Sequence, residues 1–435
     1  MKHEDHPETD ALVSRRQFNL KTAGVIGGAL MGVTLSSCKK KKKPEPETTP
    51  EPAKTEPPPE TRTKTETAFT YLEETETTFP HFEVSGKPYD IGYAIGNKFA
   101  DKIRKGFELR RAWWNDLKEF ADSQPDSLYD TFVAAAKKHT PSVYEELRGW
   151  AEGSGTALRD LVILNLKAEY GALKDIGGAE TSSRQPGCST IVINDGKRII
   201  ITHNEDGDDA YLENMFMLDV KPEGKTSFFC ASYPGILPGN APWVNDKGII
   251  MTTNFIYTKE VRKGVGRYFL DRLAMEASTL DETLAICKHP ERAYAYHHVI
   301  GSAADKRVIS LEVTPSNHVQ LDINGVFIHT NHLVAPSLVS QQQDTEHVGT
   351  SSMTRWEILS RWKEKHKEAR NVTEEDILAV LTSHEGKPYS PCRHPEGDIK
   401  GATLLTALFN VGERTMQVYK KQPCRDTSYE YAFPT

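Results

Sequence analysis

The spacing of apolar positions changes character along the chain. Ile91, Ile95, Phe99, Ile103 and Phe107 recur every fourth residue, the stripe of an amphipathic helix. Two further helices are predicted over Leu128–His139 and Val143–Ala151, set off by Pro125 and Pro141. Thr156 caps another that runs to Tyr170, with Leu158, Leu161, Val162, Leu164 and Asn165 on or near its buried face. Lys174–Pro186 is polar and rich in Gly and Ser, and reads as an exposed loop. Past it the period shortens. Met215–Val220, Ser227–Ala231 and Gly248–Thr253 read as strands, and Tyr268–Ser278 and Asp281–His289 return to helix. His298–Ser302, Val308–Val313, His318–Ile323 and Val326–His329 read as a meander. Trp356–Glu368 and Glu374–Leu381 are helical, and Thr403–Asn410 and Thr415–Lys420 close the chain as strands. Helices, strands, helices, strands in that order suit sheets covered on the outside by helices.

The chemistry gathers on one hairpin. Thr190–Ile193 and Ile199–Thr202 are β-branched runs on either side of Asn194-Asp195-Gly196-Lys197, and Asp-Gly suits a type I′ turn. A turn centred on Asp195-Gly196 sets Cys188 opposite His203, with Asn204-Glu205-Asp206 emerging beside the first strand. A thiol, an imidazole and two carboxylates then meet at one end of a rigid ribbon. Taken alone, the same pattern also describes a surface hairpin carrying a small apolar cysteine.

With 435 residues the chain is long enough to bury a large core. Its net charge of −7 supplies no basic face for nucleic acid. The N-terminal stretch has another character. Arg15-Arg16 precedes the short Gly-containing apolar stretch Ala23–Leu35, in the manner of a twin-arginine export signal, with Asn19 departing from the usual pattern. Leu35-Ser36-Ser37-Cys38 resembles a bacterial lipobox, which makes residues 1–37 a signal peptide and Cys38 the lipidated first residue of an exported, membrane-anchored lipoprotein. Lys39, directly after it, points to the outer membrane. Residues 38–67, rich in Pro, Glu, Thr and Lys, cannot bury a core and read as a tether. The globular part is 68–435.

Gly187-Cys188 with Asn204-Glu205-Asp206, His329-Thr330-Asn331-His332, and Cys392-Arg393 with Lys400-Gly401-Ala402-Thr403-Leu404 occur in that order. Together they resemble the acyl-coenzyme A:6-aminopenicillanic acid acyltransferase (isopenicillin N acyltransferase) family of N-terminal-nucleophile (Ntn) hydrolases. Glu146–Gly155, Leu164–Glu169, Asn245–Gly248 and Leu311–Pro315 add to the match, which spans roughly residues 83 to 420. The resemblance implies an α+β fold, the four-layer αββα Ntn-hydrolase sandwich with two antiparallel sheets between helical layers. It implies self-cleavage of the Gly187–Cys188 bond, leaving two chains associated through a shared core, and an amidohydrolase or acyltransferase acting through an acyl-thioester on Cys188. The substrate is then a small-molecule N-acyl amide, and neither cofactor nor metal is implied. In an exported protein, where acyl-coenzyme A is scarce, hydrolysis is the expected outcome.

Residue roles follow from the same resemblance. The α-amine freed at Cys188 serves as general base; its ordinary pKa is about 7.7–8.0. Asp206 orients the nucleophile, Asn331 donates to the oxyanion, and Asn245 falls where related amidases place a second donor. Glu205 reads as a solvated neighbour. Lys400 stands where the family has arginine and lacks the bidentate fork; Arg393 is the second cation available to hold substrate. Two other readings stay open: a Cys-His thiol hydrolase using His203, and a non-catalytic surface-binding lipoprotein on the same fold. Cys230, Cys287, Cys392 and Cys424 are either paired in disulfides or buried thiols. The histidines at 297, 298, 329 and 332 read as polar strand residues rather than metal ligands, because their spacing on strands turns them to different faces.

Overall fold

The computed structural model describes residues 67–73, 79–176, 187–343, 346–425 and 427–435. The predicted signal segment, Cys38 and nearly all of the tether lie outside the described residues, as does most of the Lys174–Pro186 loop. No helix among the described residues is long and apolar enough to cross a membrane.

The strands are β1 (Phe69–Leu72), β2 (His81–Gly86), β3 (Ser189–Asn194), β4 (Ile199–Asp208), β5 (Phe216–Pro222), β6 (Phe228–Ser232), β7 (Trp243–Asn245) and β8 (Ile249–Phe255). They continue with β9 (Tyr296–Ser302), β10 (Arg307–Val313), β11 (His318–Asp322), β12 (Gly325–His329), β13 (Gly401–Asn410), β14 (Thr415–Lys420) and β15 (Ser428–Ala432). The helices are α1 (Pro88–Lys98), α2 (Ala100–Leu109), α3 (Arg111–Ser123), α4 (Asp126–His139), α5 (Pro141–Ser154) and α6 (Leu158–Asn165). After them come α7 (Lys167–Ile176), α8 (Arg267–Ala274), α9 (Leu280–Cys287), α10 (Glu346–Lys365) and α11 (Glu374–Leu381).

Two sheets result: a nine-stranded one ordered β1-β2-β5-β6-β7-β8-β9-β10-β11, and a six-stranded one ordered β12-β3-β4-β13-β14-β15. Strand alternation explains how they stack. Ile191, Ile193, Ile200, Ile328 and Leu408 point outward from the smaller sheet and pack against Ile358, Leu359 and Trp362 of α10 and Ile377 and Leu381 of α11. Val192, Ile201 and Phe409 point the other way, into the core shared with Ile250 and Ile300 of the larger sheet. The sheets are so close there that a Cβ on Gly301 would lie 2.6 Å from Ile201. Beyond the larger sheet, Phe99 stacks on Phe216 at 3.6 Å and Arg272 of α8 lies 4.4 Å over Phe228. The layers therefore run α, β, β, α, as expected.

The Glu146–Gly155 motif belongs to that outer helical layer. Gly92 and Gly96 on α1 meet Gly149 and Gly153 on α5, each pair four residues apart on one helix face. A Cβ on Gly92 would sit 1.9 Å from Glu146 O, and one on Gly149 2.1 Å from Tyr89 O. The helices touch backbone to backbone, and only glycine admits that approach. Glu146 also pairs with buried Arg272 of α8 at 2.6 Å, tying the two helices together.

Several expectations are corrected. The stripe from Ile91 to Phe107 is two helices, α1 and α2, broken at Phe99, whose ring is held against Phe216. The helix predicted through Tyr170 divides at Leu166 into α6 and α7. The larger sheet is not wholly antiparallel, since β2 and β5 pair in parallel. The meander ends at β11; β12 crosses to the smaller sheet and pairs with β3. The hairpin register moves by two residues, with Ser189 opposite Asn204 and Thr190 opposite His203. Asp195 is the reason: its Oδ1 accepts from the backbone N–H of Lys197 and Arg198, at 2.9 and 2.8 Å, and pulls the turn one residue later. Only Gly196 then has a positive φ, 84°, as in the glycine-first class of two-residue turns.

Candidate active site

Continuing the β3–β4 register by two residues sets Cys188 opposite Glu205 and Gly187 opposite Asp206. Alternation then divides the site between the faces of the smaller sheet. Cys188, His203 and Glu205 point between the sheets. Gly187 and Asp206 belong to the face covered by α10.

On the α10 side, Asn331 lies two residues past the end of β12, which pairs with β3, and so reaches the start of β3. A Cβ on Gly187 would lie 2.0 Å from Asn331 Oδ1 and 2.8 Å from its Nδ2. The amide thus lies against the peptide that joins Gly187 to Cys188. Its orientation is set from both ends: Arg355 donates to Oδ1 at 2.8 Å, and Nδ2 donates to Phe255 O at 3.0 Å. Ser352 Oγ accepts from the Asn331 backbone N–H at 2.9 Å. Glu312 anchors the chain on both sides of Asn331, accepting from Val334 N, Ala335 N and His329 Nε2. Burial alone would raise the Glu312 pKa, but His329 and the two amides outweigh it and hold it below the usual carboxylate range. This explains the Leu311–Pro315 motif: Glu312 holds the strand end that presents Asn331.

Arg355 is the residue that sequence reasoning missed. It lies on α10, is completely buried, and donates to Cys188 O, to Ser189 Oγ at 3.1 Å and to Asn331. Burial pulls its pKa down to about 10, partly offset by Asp206. Asp206 Oδ1 accepts from Thr403 Oγ1 at 2.7 Å, while its Oδ2 has no hydrogen-bond partner and is buried. Burial pushes its carboxyl up to about 7, against the pull of Arg355, Arg393 and Thr403. Arg393 is buried as well; its backbone N–H donates to Thr403 Oγ1 at 2.9 Å and its guanidinium faces Ser351.

Between the sheets, Cys188 borders a cavity of about 60 Å³ lined by Tyr211, Tyr233, Tyr268, Tyr296, Phe255 and the cations Arg110 and Lys167, among others. Burial raises the Cys188 thiol well above its usual range, and the Glu205 and Asp206 charges add to this. The thiol is therefore neutral near pH 7, and a thiol in that state could act as a nucleophile only with a base beside it. Burial likewise pulls the Lys167 amine well down, with Arg110 and Arg267 adding to the effect.

Glu205 is not solvated. It is buried, accepts from Tyr233 OH at 2.5 Å and lies 3.1 Å from His203 Nε2. The Thr190 hydroxyl gives its single proton to Asn254 Oδ1, so it accepts from His203 Nδ1 at 2.8 Å. Both ring nitrogens of His203 are thus engaged, although Cys188, His203 and Glu205 each bring a ligating atom within 4.8 Å of the others.

Two sequence candidates lie elsewhere. Asn245 closes the β7–β8 turn, donating to Met275 O and Ala277 O and accepting from Lys247 N and Ile249 N. That turn is at the far end of β8 from Asn254, about 17 Å away at strand rise, so the structure places Asn245 in a turn and does not bring it to Gly187, Cys188 and Asn331. Lys400 is exposed, and its backbone carbonyl accepts from Asp209 N; the buried cations beside Asp206 are Arg355 and Arg393 instead. His297, His329 and His332 form a stacked column, with centroids 3.4 Å apart for the first pair and 6.4 Å for the second. Cys188, Cys230, Cys287, Cys392 and Cys424 are free thiols.

Residues 192–425 match the model of the family described as acyl-coenzyme A:6-aminopenicillanic acid acyl-transferase. The chain is similar to the beta-alanyl-dopamine/carcinine hydrolase of Drosophila melanogaster, at 25% identity over 79% of this chain and 93% of that protein. It is also similar to the 40 kDa form of the acyl-coenzyme A:6-aminopenicillanic-acid-acyltransferase of Emericella nidulans, at 24% identity over 76% and 89%. Among solved structures, a variant of the conjugated bile acid hydrolase from Clostridium perfringens is 12% identical, with TM-score 0.36 over 54% of this chain and 89% of that one.

Proposed function

The chain belongs to the acyl-coenzyme A:6-aminopenicillanic acid acyl-transferase family, and from that premise we propose that it is a cysteine N-terminal-nucleophile amidohydrolase or acyltransferase that matures by splitting its own Gly187–Cys188 bond. The observation that carries this reading is the fit of Asn331 against Gly187, with Cys188 buried at the head of a cavity and Asp206 opposite. Nothing larger than glycine fits before the cysteine, and the neighbouring amide is a hydrogen-bond donor for a carbonyl that becomes an oxyanion.

In maturation, the Cys188 thiol attacks the Gly187 carbonyl carbon. The C–N bond breaks as the thioester forms, and the proton moves to the departing nitrogen. Water then hydrolyses the thioester, leaving a Gly187 carboxylate and a free α-amine on Cys188. The two chains stay together through the core that both contribute to. In turnover, that amine takes the thiol proton as sulfur attacks the carbonyl of an N-acyl amide, and returns it to the leaving amine. Water or a second amine then receives the acyl group. Asp206, whose Oδ2 is unpaired in the uncleaved chain, holds the new ammonium. Asn331 meets the oxyanion, a contact worth about 2.7–4 kcal/mol. Arg355 positions both groups through Cys188 O and Asn331 Oδ1.

The cavity of about 60 Å³, aromatic with Lys167 and Arg110 at its edge, suits a short acyl chain bearing a polar end. The relatives act on different amides, so hydrolysis as the outcome rests on export, which we propose from Arg15-Arg16 and Cys38, with the lipid on Cys38 as membrane anchor. A Cys-His mechanism is the second reading, motivated by His203 lying near Cys188. The deciding experiment is Cys188→Ala followed by denaturing gels and N-terminal sequencing. Two chains in the native protein, the second beginning at Cys188, and one inactive chain in the variant are expected. A single full-length band in active protein would overturn the proposal.

A further inference from the structure

Away from the nucleophile, the segment carrying Arg393 meets the 3₁₀ turn Pro423–Arg425. His384, Cys392, His394 and Cys424 converge there, each offering one ligating atom within 4.8 Å of the others. We propose that these four residues form a closed tetrahedral site for a structural divalent metal of zinc type, independent of the Cys188 chemistry.

The ligand set is the first argument. Two thiolates and two imidazoles are the donors zinc prefers, and four protein ligands with no open position mark a structural site rather than a catalytic one. Spacing is the second. With Zn–S near 2.3 Å and Zn–N near 2.05 Å, tetrahedral angles put sulfur and nitrogen about 3.6 Å apart. His394 Nε2 lies 3.6 Å from Cys392 Sγ and 3.3 Å from Cys424 Sγ. One ring nitrogen facing two sulfurs at these distances has a single hydrogen to share between them; a metal among all three satisfies both contacts. The His384 ring stands 4.9 Å from that of His394 at 86°, which lets both imidazoles aim at a common point without stacking. Finally, Cys392 and Cys424 are free thiols rather than a disulfide.

Such a site would add a cross-link to a segment that has no regular secondary structure of its own. Residues 382–400 carry no helix or strand, and Arg393 stands between two of the ligands. A metal there joins this segment to the β14–β15 connection and fixes the stretch from which Arg393 reaches toward Asp206.

The test is elemental analysis of the purified full-length protein beside His384→Ala and Cys424→Ser, both at exposed positions, with a count of free thiols after denaturation. About one zinc per chain, lost in both variants while the thiols remain reduced, is expected. Zinc retained in His384→Ala at the native level would overturn the site. So would a Cys392–Cys424 disulfide on a non-reducing peptide map of protein purified without reductant. If the isolated protein carries no metal and both thiols are free, cobalt titration of the reduced, chelator-treated chain decides. Thiolate-to-cobalt charge transfer with tetrahedral d–d bands supports the site, and their absence overturns it. In the metal-loaded protein, chelation should lower the melting temperature of the native chain and leave that of His384→Ala unchanged.

Discussion

Replacing Gly187 by alanine tests the placement of the scissile bond directly. Gly187 is not among the residues at positive φ, so alanine meets no torsional penalty there. Its Cβ, however, would sit 2.0 Å from Asn331 Oδ1 and 2.3 Å from Cγ. Ordinary contact begins near 3.4 Å, so the groups must part by about 1.4 Å. Asn331 does not yield easily, because Arg355, Phe255 O and Ser352 hold its two amide atoms and its backbone. The peptide moves instead. A displacement of about an ångström at a reacting centre costs on the order of a hundredfold in rate, or about 2.7 kcal/mol of barrier. The expected result is a chain that folds, melts cooperatively, and splits about a hundredfold more slowly than the native one. The assay is a pulse of expression followed by a time course on denaturing gels, with melting by circular dichroism as the folding control. A Gly187→Ala chain that splits at the native rate would show that the bond is not where Asn331 places it.

Other perturbations of the same geometry have equally definite outcomes. Arg355→Gln removes a cation that stabilises the Asp206 carboxylate. In uncleaved Cys188→Ala protein the Asp206 carboxyl should then titrate at higher pH than with Arg355 present, and the pH range over which stability changes should move up with it, as thermal melting against pH would show. Because the folded Asp206 pKa of about 7 lies above the ordinary 3.9, the fold favours the neutral acid; uncleaved Cys188→Ala protein should lose stability as pH rises from about 4 to 7, read by thermal melting. His203→Ala should keep most activity on a chromogenic N-acyl amide, since both its nitrogens are committed to Thr190 and Glu205; a loss as complete as that of Cys188→Ala, in cleaved and folded protein, would move the base to His203. Asn245→Ala should lower the melting temperature with kcat nearly unchanged, and Asn331→Ala should lower kcat by about a hundredfold; the reverse pattern would restore Asn245 as the donor. Cys38→Ala should release the protein from membranes or block its processing, and retention after carbonate washing would refute the lipobox.

The hairpin and most helices were legible in the chain itself, and the order of its motifs carried the resemblance that puts Cys188 forward as the proposed nucleophile. The signals of those elements are short-ranged: β-branched runs, four-residue stripes and a turn with glycine. Glu374–Leu381 and Thr415–Lys420 were bounded correctly because capping at Thr373 and strand alternation operate within a few residues. Even there, one carboxylate shifted the outcome. Asp195 moved the turn and replaced the Cys188–His203 pairing by Cys188 opposite Glu205.

Tertiary structure alone decided where each polar group is placed and what it bonds. Asn245 and Asn331 look alike as asparagines at strand ends, yet one spends every hydrogen bond on a turn and the other lies against the peptide before Cys188. Arg355 had no sequence signal, because a single arginine in a helix reads as solvent-facing until Cys188, Ser189 and Asn331 arrive from far along the chain to bury it. Lys400 carries the family position but faces solvent, while Arg393 is buried near Asp206. The same holds for Cys424, which meets Cys392 and His394 only after β13 and β14 have folded back. Periodicity specifies elements because it is set by neighbours along one strand or helix. The protonation, orientation and role of a buried polar group depend on partners brought together by packing, and no local pattern encodes them.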